Sequence, residues 1–160
     1  MSPEEKRAAR LPPRWFIRVA WVVHRAIHRV TGGRRGLWPP RPGQWGAMRL
    51  ESIGRRSGRR RSAILGYYED GPNLVTLAMN GWGEAEPAWW LNLQAHPDVT
   101  VELVGGTRAV RARAAQGEER ERLWAGFRDY SGGGADVDAY AVRRRGGTAV
   151  VVLEPRSNGS

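Results

Sequence analysis

Alternation of apolar and polar residues is the first pattern in the chain, and it begins near residue 48. Residues 48–53 alternate, and residues 61–69 do so again after a loop at 54–60. Asp70-Gly71-Pro72 is a turn signal that leads into an apolar stretch at 73–79. Because a period of two is typical of a half-buried strand, this part of the sequence predicts three consecutive β-strands.

The second half of the chain contains the same pattern. Val99, Val101 and Leu103 are separated by polar residues, Gly105-Gly106 marks a hairpin, and the alternation resumes over 110–114. A last apolar stretch follows at 148–153. Six short strands joined mostly by hairpins predict an α+β fold, mostly antiparallel, arranged as a small β-barrel.

Three segments have a helical period instead. Residues 13–30 carry arginines on one face and apolar side chains on the other, and Thr31-Gly32-Gly33 ends this N-terminal amphipathic helix. Pro87 suits the first turn of a second helix that continues to Ala95. Residues 117–130 have the spacing of a third helix, with Leu123, Trp124 and Phe127 apolar.

The N-terminal helix is too polar to cross a membrane, which takes about 20 consecutive apolar residues. No small-residue cleavage site follows it, so it is not a signal peptide. Two interpretations stay open: it packs its apolar face on the domain, or it lies on anionic lipid, peripheral on the inner face of the membrane. The predicted organisation is a disordered lead (1–12), this helix (13–33), a connection (34–46), the barrel domain (47–155) and a tail (156–160).

Composition narrows the functional classes. The 160 residues suffice for one domain, and the absence of cysteine excludes disulfides, zinc–thiolate sites and cysteine nucleophiles and favours the cytoplasm. Three scattered histidines make no convincing metal site, so no metal is predicted. The net charge is +10, and residues 55–61 hold five arginines in seven positions. Nucleic acid, an anionic membrane surface and a phosphorylated cofactor are the partners that this charge favours.

Two stretches carry the candidate chemistry. Gly54-Arg55-Arg56-Ser57-Gly58 joins two strands and has the glycines, hydroxyl and cations of an anion-binding loop. Further along, "NGWGEAEPAWW" places an irregular loop directly before Trp89 and Trp90. Because adjacent helical residues point to opposite sides, we expect at least one of these indoles to face something other than the core, such as a ligand.

Together, "GRRSGRRRSAILGYY" and "LAMNGWGEAEPAWWLNLQAHPDVTVEL" resemble the deazaflavin-dependent nitroreductase family over roughly residues 45–155. The resemblance implies a split β-barrel of the FMN-binding reductase type and the deazaflavin coenzyme F-420, whose ring is joined to a phosphate and an oligoglutamate tail. It implies hydride transfer from the reduced coenzyme to a quinone, enone or nitroaromatic acceptor.

The resemblance also implies the site residues. Arg55, Arg56 and Arg61, with Ser57 and Gly58, match the basic phosphate-loop positions, and Arg59 and Arg60 extend the positive charge. Trp89 or Trp90 is the expected wall for the ring, and the backbone of residues 78–82 is the expected source of edge donors. The full set of predicted coenzyme contacts adds Ala63, Ile64, Leu65, Ala78, Met79, Asn80, Gly81, Trp82, Pro87 and Asn92.

Three positions depart from the family pattern. Met79 replaces the usual Ser and Trp82 the usual second Gly, and Ile64 stands where Pro is common. Outside the motifs, Tyr130 and Tyr140 are the candidates for the catalytic role of lining the acceptor side and donating a proton. A core or surface position is the alternative for each tyrosine.

Other functions remain open at this level. The same barrel holds FMN or haem in other proteins, and a basic chain with eight tryptophans is compatible with a nucleic-acid-binding module. The arginine run favours a multiply charged tail over a single phosphate, and the separation of arginines from tryptophans disfavours nucleic acid. The protein is predicted to be a monomer or a homodimer.

Overall fold

A computed structural model describes residues 36–79, 85–130 and 147–157, without the side chains of residues 129 and 130. The chain divides into two units, residues 1–36 and 37–160, and the description that follows concerns the second. The predicted N-terminal lead and helix, the predicted site residues Asn80, Gly81 and Trp82, and Tyr140 lie outside the described residues. The elements are β1 (Gly46–Ile53), β2 (Arg60–Asp70), β3 (Asn73–Leu77), α1 (Ala88–Ala95), β4 (Asp98–Leu103), β5 (Gly106–Ala114), α2 (Gly117–Tyr130) and β6 (Val150–Pro155).

The six strands form a closed antiparallel barrel in the order β1-β2-β3-β6-β5-β4. The predicted antiparallel barrel is therefore confirmed. Closure depends on two pairings between strands distant in sequence. Leu77 on β3 lies opposite Val150 on β6, and Leu50 on β1 lies opposite Val101 on β4. The β3–β6 and β5–β6 pairings bring the end of β3, the start of β6 and the end of β5 to the same end of the barrel.

The end of β3 differs from the prediction, which extended this strand to Met79. The strand ends at Leu77, because the Met79 N–H donates to the Leu77 carbonyl (2.9 Å) and the chain turns there. The last strand also shifts, to Val150–Pro155 instead of 148–153. Its partners on β5 extend the pairing to Pro155, which lies opposite Val110.

Inward side chains of the strands and one face of α1 form the main core. The members include Met48, Leu50, Tyr67, Trp89, Trp90, Leu93, Val99, Val101, Leu103, Val110, Val151 and Leu153. The helix packs against β1, β2 and β5. Burial of this apolar surface drives formation of the barrel, and it fixes α1 beside the turn between β1 and β2.

The second helix, α2, covers the outer face of β2, β3 and β6. Leu123 and Phe127 are fully buried there against outward side chains of these strands. The Tyr68 hydroxyl donates to the Leu123 carbonyl (2.7 Å), and Phe127 meets the Tyr68 ring edge-on at 4.8 Å. A Cβ at Gly126 would stand 2.6 Å from the Tyr68 hydroxyl oxygen, so glycine is required for this close approach.

Ion pairs fasten α2 to the barrel beside the β2–β3 hairpin. Arg122 binds both oxygens of Asp70 at 2.8 and 3.0 Å, and Arg113 on β5 pairs with Glu119 and Glu154. The hydrogen bond from Arg122 lowers the pKa of Asp70 below its ordinary value of 3.8. The hydrogen bonds from Arg113 lower the pKa of Glu119 below 4.5.

We expect these lowered pKa values to make stability depend on acid pH. A carboxyl whose pKa falls on folding stabilises the protein above its unfolded pKa, and the contribution is lost as pH falls through the folded value. The free energy of unfolding should therefore be constant at neutral pH and decrease as pH falls below about 4.5. Denaturant unfolding at several pH values measures this, and the pair Asp70→Asn and Glu119→Gln should flatten the slope. An unchanged slope in that variant would contradict the assignment.

Candidate functional site

The arginine loop, residues 54–61, is a tightly bonded turn between β1 and β2. The Gly54 N–H donates to the Arg59 carbonyl and the Gly58 N–H to the Gly54 carbonyl, both at 2.8 Å. The Arg59 N–H donates to Ser57 Oγ at 3.2 Å. Gly58 has a φ of +69°, which favours glycine, and a Cβ on Gly54 would stand 2.7 Å from Ser57 Oγ. The predicted loop is thus a defined turn, held by its own backbone.

The cations of this loop are free of acidic partners in the described part of the chain. Arg55, Arg56, Arg59, Arg60 and Arg61 are all exposed, and none forms an ion pair with a described carboxylate. Other arginines behave differently, since Arg49, Arg111, Arg113, Arg122 and Arg156 are each paired with Asp or Glu. Concentrated, unneutralised charge attracts an anion with several charges more strongly than one with a single charge.

Asn92 joins the arginine loop to α1. Its Oδ1 accepts from the backbone N–H of Arg55 at 3.1 Å and from Arg55 Nη1 at 3.2 Å. The Asn92 side chain is only 4% exposed. Asn92 and Arg55 are 37 positions apart in the sequence. Because the buried Asn92 oxygen accepts both hydrogen bonds, it fixes the loop against the helix. The structure therefore brings together two of the predicted site residues, with Asn92 in a positioning role toward the loop.

The tryptophan pair is placed differently from our expectation. Trp89 is 9% exposed and Trp90 is 5% exposed, and both belong to the barrel core. Their rings meet edge-to-face with centroids 6.4 Å apart. The inference that one indole must face away from the core is wrong, because this short helix is enclosed on more than one side and also buries Asn92 and Leu93. The role of Trp89 as a wall for a ring stays a prediction.

Two of the backbone N–H groups predicted to donate to the ring edge already form hydrogen bonds within the barrel. The Ala78 N–H donates to the Ala149 carbonyl at 2.9 Å, and the Met79 N–H donates to Leu77. Neither N–H is therefore available to donate to the ring edge. The Ala78 N–H is bonded to the segment before β6, and the Met79 N–H is bonded within the turn that follows β3. The donors at 80–82 lie outside the described residues.

The other predicted residues lie around the same part of the fold. On β2, Ala63 and Ile64 are half-buried and Leu65 is buried in the core. Pro87 is buried at the N-cap of α1, where its carbonyl accepts from the Trp90 N–H at 3.0 Å. Tyr130 is the last residue of α2. The catalytic roles of Tyr130 and Tyr140 stay predictions.

Sequence reasoning missed an aromatic group between α2 and the barrel. Trp45, one residue before β1, seats its ring over Gly66 and meets Phe127 edge-on at 5.1 Å. Trp124 and Met79 are half-buried against the same apolar cluster. Alternation could not place Trp45 there because it precedes the first strand. Its position depends on the lack of a side chain at Gly66 on β2, where a Cβ would stand 2.7 Å from the indole.

Two findings bear on membranes and metals. No helix in the described segments combines the length and apolar character needed to span a bilayer. The same segments bring no three His, Asp or Glu side chains together in a way that would hold a metal ion.

The chain is similar in sequence to one described family and to several named proteins. The sequence profile of the family described as F420H(2)-dependent quinone reductase matches residues 21–155. Rv3178 of Mycobacterium tuberculosis, which carries the name of this family, is 36% identical over 108 residues, covering 67% of this chain and 87% of that protein. The F420H(2)-dependent quinone reductase Rv1261c of the same species is 32% identical over 117 residues, covering 69% and 77%.

Two solved structures share the fold at lower identity. One, described as an F420-H2 dependent reductase (FDR-A), superposes with a TM-score of 0.59 at 24% identity and covers 68% of this chain and 93% of its own. Another, described as a domain-swapped dimer, has a TM-score of 0.61 at 23% identity and covers 86% and 99%. The predicted split β-barrel and the predicted deazaflavin dependence are confirmed. This chain belongs to the F420H(2)-dependent quinone reductase family, and it is an oxidoreductase whose hydride donor is reduced coenzyme F-420.

Proposed function

We propose that this protein binds coenzyme F-420 through the arginine loop and α1 and reduces a quinone as its main acceptor, with conjugated enones and nitroaromatics as further acceptors. The observation that carries the proposal is the cluster of five exposed arginines, free of described acidic partners and fixed to α1 by the Arg55–Asn92 hydrogen bonds. Family membership supports the quinone.

The donor set of the loop fits the charged part of the coenzyme. Arg56 and Arg61 are free for a phosphate and an oligoglutamate tail, which need several cations. The N–H groups of Arg56 and Ser57 have no partner among the described residues, and the space around the Cβ position of Gly58 is open to 4 Å. Such a turn supplies backbone donors to an anion at close approach. Arg59 and Arg60 add attraction at longer range.

The ring of the coenzyme is assigned to the apolar surroundings of α1 and β2. The proposed contacts are Ala63, Ile64, Leu65, Ala78, Met79, Pro87 and Trp89, together with Asn80, Gly81 and Trp82, which follow in the sequence. Burial supports this assignment, because the described members of the set are buried or half-buried, and Leu65, Ala78 and Trp89 belong to the main core. A rigid apolar wall orients a flat ring at little entropic cost.

The coenzyme, when bound, supplies the hydride. The protein's contribution is to bind the acceptor over the ring, orient it and keep water out. Tyr130 and Tyr140 are proposed to line the acceptor side and to donate a proton or hydrogen bond. Nitro reduction is proposed to be incidental to the reduction of a native quinone-like or enone acceptor.

An acceptor panel tests this function. Purified protein with reduced coenzyme F-420 is given menadione, a cyclic enone and a nitroaromatic, and oxidation of the coenzyme is followed by absorbance. We expect kcat/KM for menadione to exceed that for the nitroaromatic by about tenfold, a transition-state difference on the order of 1.4 kcal/mol. FMN with NADH is the control for the alternative cofactor. Turnover with FMN and none with F-420 would contradict the proposal.

Location is part of the same proposal. We assign the protein to the cytoplasm, with residues 14–30 contacting the inner face of the membrane, which suits a lipid-soluble quinone. Equal co-sedimentation with anionic liposomes by chains with and without residues 1–33 would contradict the membrane contact.

A further inference from the structure

Two buried N–H donors on the seam between α2 and the barrel have no hydrogen-bond partner among the described residues. They are Nε1 of Trp45 and Nη1 of Arg120. Buried donors are nearly always paired, because an unpaired one loses its hydration without compensation. These two therefore point to a ligand with acceptor oxygens that binds during the functional cycle.

Both donors belong to groups held firmly in place. The Trp45 ring packs over Gly66 and against Phe127, and the Trp45 carbonyl accepts from Trp38 Nε1 at 2.8 Å. The guanidinium carbon of Arg120 lies 5.3 Å from the centroid of the Trp124 ring, a cation–π contact within one turn of α2. Preorganised donors of this kind bind a ligand without a large ordering cost.

Arg120 lies on one flank of α2, and Trp45 meets the same helix about two turns further on, at Phe127. Arg122 and Gly126 identify the other flank, since they face Asp70 and the Tyr68 hydroxyl beside the β2–β3 hairpin. With about 3.6 residues per turn, Arg120 and Trp124 lie on the flank opposite these residues. Trp124 packs on the same apolar cluster as Leu77 and Val150, at the end of the barrel where β3 ends and β6 begins.

This end of the barrel adjoins the proposed coenzyme site. Met79, which packs on the same apolar cluster as Trp45 and Trp124, leads directly into residues 80–82. All three of these apolar side chains are half-buried, so part of each stays open to solvent.

We propose that the quinone binds on this flank of α2, stacked among Trp45, Met79 and Trp124, with Trp45 Nε1 and Arg120 Nη1 donating to its carbonyl oxygens. The proposal rests on the proposed function and specifies its acceptor subsite. Reduction of a quinone adds one hydride and one proton. One carbonyl oxygen gains the hydride, from the C–H bond that the reduced coenzyme gives up, and the electron pair appears as negative charge on the other oxygen until that oxygen takes up a proton from the proposed tyrosine donor. A guanidinium and an N–H at these oxygens stabilise that charge as it develops.

The variants Trp45→Phe and Arg120→Met test the subsite. Phenylalanine keeps an aromatic ring over Gly66 and removes the donor, and methionine keeps an apolar stem and removes the charge. Arg108→Met, at an exposed position on β5, is the matched control. Menadione binding is measured by quenching of tryptophan fluorescence, with and without oxidised coenzyme, and steady-state kinetics compare menadione with a phenazinium dye that has no carbonyl oxygen.

We expect each test variant to raise the Kd for menadione by about tenfold and to lower kcat/KM for menadione by roughly tenfold or more. The Kd for the coenzyme and kcat/KM for the dye should stay within about twofold, since neither uses these donors in the proposed arrangement. Arg108→Met should match the wild type in every measurement. This pattern would support the subsite.

Two results would overturn the subsite: wild-type menadione binding in both variants, or an equal loss with menadione and the dye, which would indicate a structural role. If Trp45→Phe does not fold, as judged by thermal unfolding, Arg120→Met decides the question alone. Failure of the proposed function would look different, because wild-type protein would then bind no coenzyme or reduce no menadione with it. In that case, menadione binding measured without coenzyme, compared between the wild type and the two variants, still supports or overturns the subsite.

Discussion

Replacing Arg56 and Arg61 together by alanine is expected to weaken binding of oxidised coenzyme F-420 by about 100-fold, because each removes a charge-assisted hydrogen bond that contributes roughly tenfold to the affinity. Both side chains are exposed and free of described carboxylate partners, so their removal should leave the barrel intact. Fluorescence titration of the coenzyme measures the Kd. Because the interactions are electrostatic and near the surface, the wild-type affinity should also fall as salt is raised.

The matched control for this prediction removes the same charge elsewhere. Arg41→Ala with Arg108→Ala deletes two exposed arginines outside the arginine loop and should leave the Kd within about twofold, because neither belongs to the proposed anion site and exposed charges that do not contact the anion are largely screened at physiological salt. A titration with FMN in parallel separates a single phosphate from a longer anion. Equal losses in the test and control variants would show that net charge, and not the loop, governs binding.

Asn92→Leu is expected to lower the free energy of unfolding by about 2–3 kcal/mol and to weaken coenzyme binding about tenfold. Leucine has nearly the shape of asparagine but no acceptor, so the Arg55 backbone N–H and Nη1 lose their shared partner at a position only 4% exposed. The arginine loop would then no longer be fixed against α1. Urea unfolding and coenzyme titration measure the two effects separately.

Two variants of the same helix control for this result. Asn92→Asp keeps acceptor oxygens for Arg55 and should retain most of the affinity. Gln94→Leu places the same leucine at an exposed position and should change stability by no more than about 0.5 kcal/mol. If Asn92→Leu loses stability but keeps full coenzyme affinity, the loop does not depend on this anchor, and the positioning role is wrong.

The sequence motif predicted the residues of the arginine loop but not the contact that fixes the loop. The glycines, serine and arginines at 54–61 are adjacent in sequence, and a short turn between two paired strands must present them together. The motif could not identify Asn92 as the partner of Arg55. Asn92 lies 37 residues further along the chain, and many N–H groups could donate to its side-chain oxygen. Only the packing of α1 on β1, β2 and β5 selects Arg55 among them.

Trp89 and Trp90 show that helical spacing alone does not predict whether a side chain is buried. Spacing along a helix gives the direction of each side chain relative to the helix axis, but it does not say on how many sides the helix is covered. Trp89 and Trp90 diverge as adjacent residues must, and both are still buried, because the barrel encloses a short helix from more than one side. The same reasoning could not foresee that Gly66 leaves room for Trp45.

The sequence by itself determined the local features of this protein: the six strands, the hairpin turns, the two later helices and the loop with its arginines. Each depends on periodicity, turn residues or charge within a few positions, and those are properties of neighbouring residues. Tertiary structure alone decided the closure of the barrel through β3–β6 and β1–β4, the commitment of the Ala78 N–H to Ala149, and, among the described residues, the unpaired donors of Trp45 and Arg120. These features depend on which distant groups meet, and that is settled by burial of the whole core.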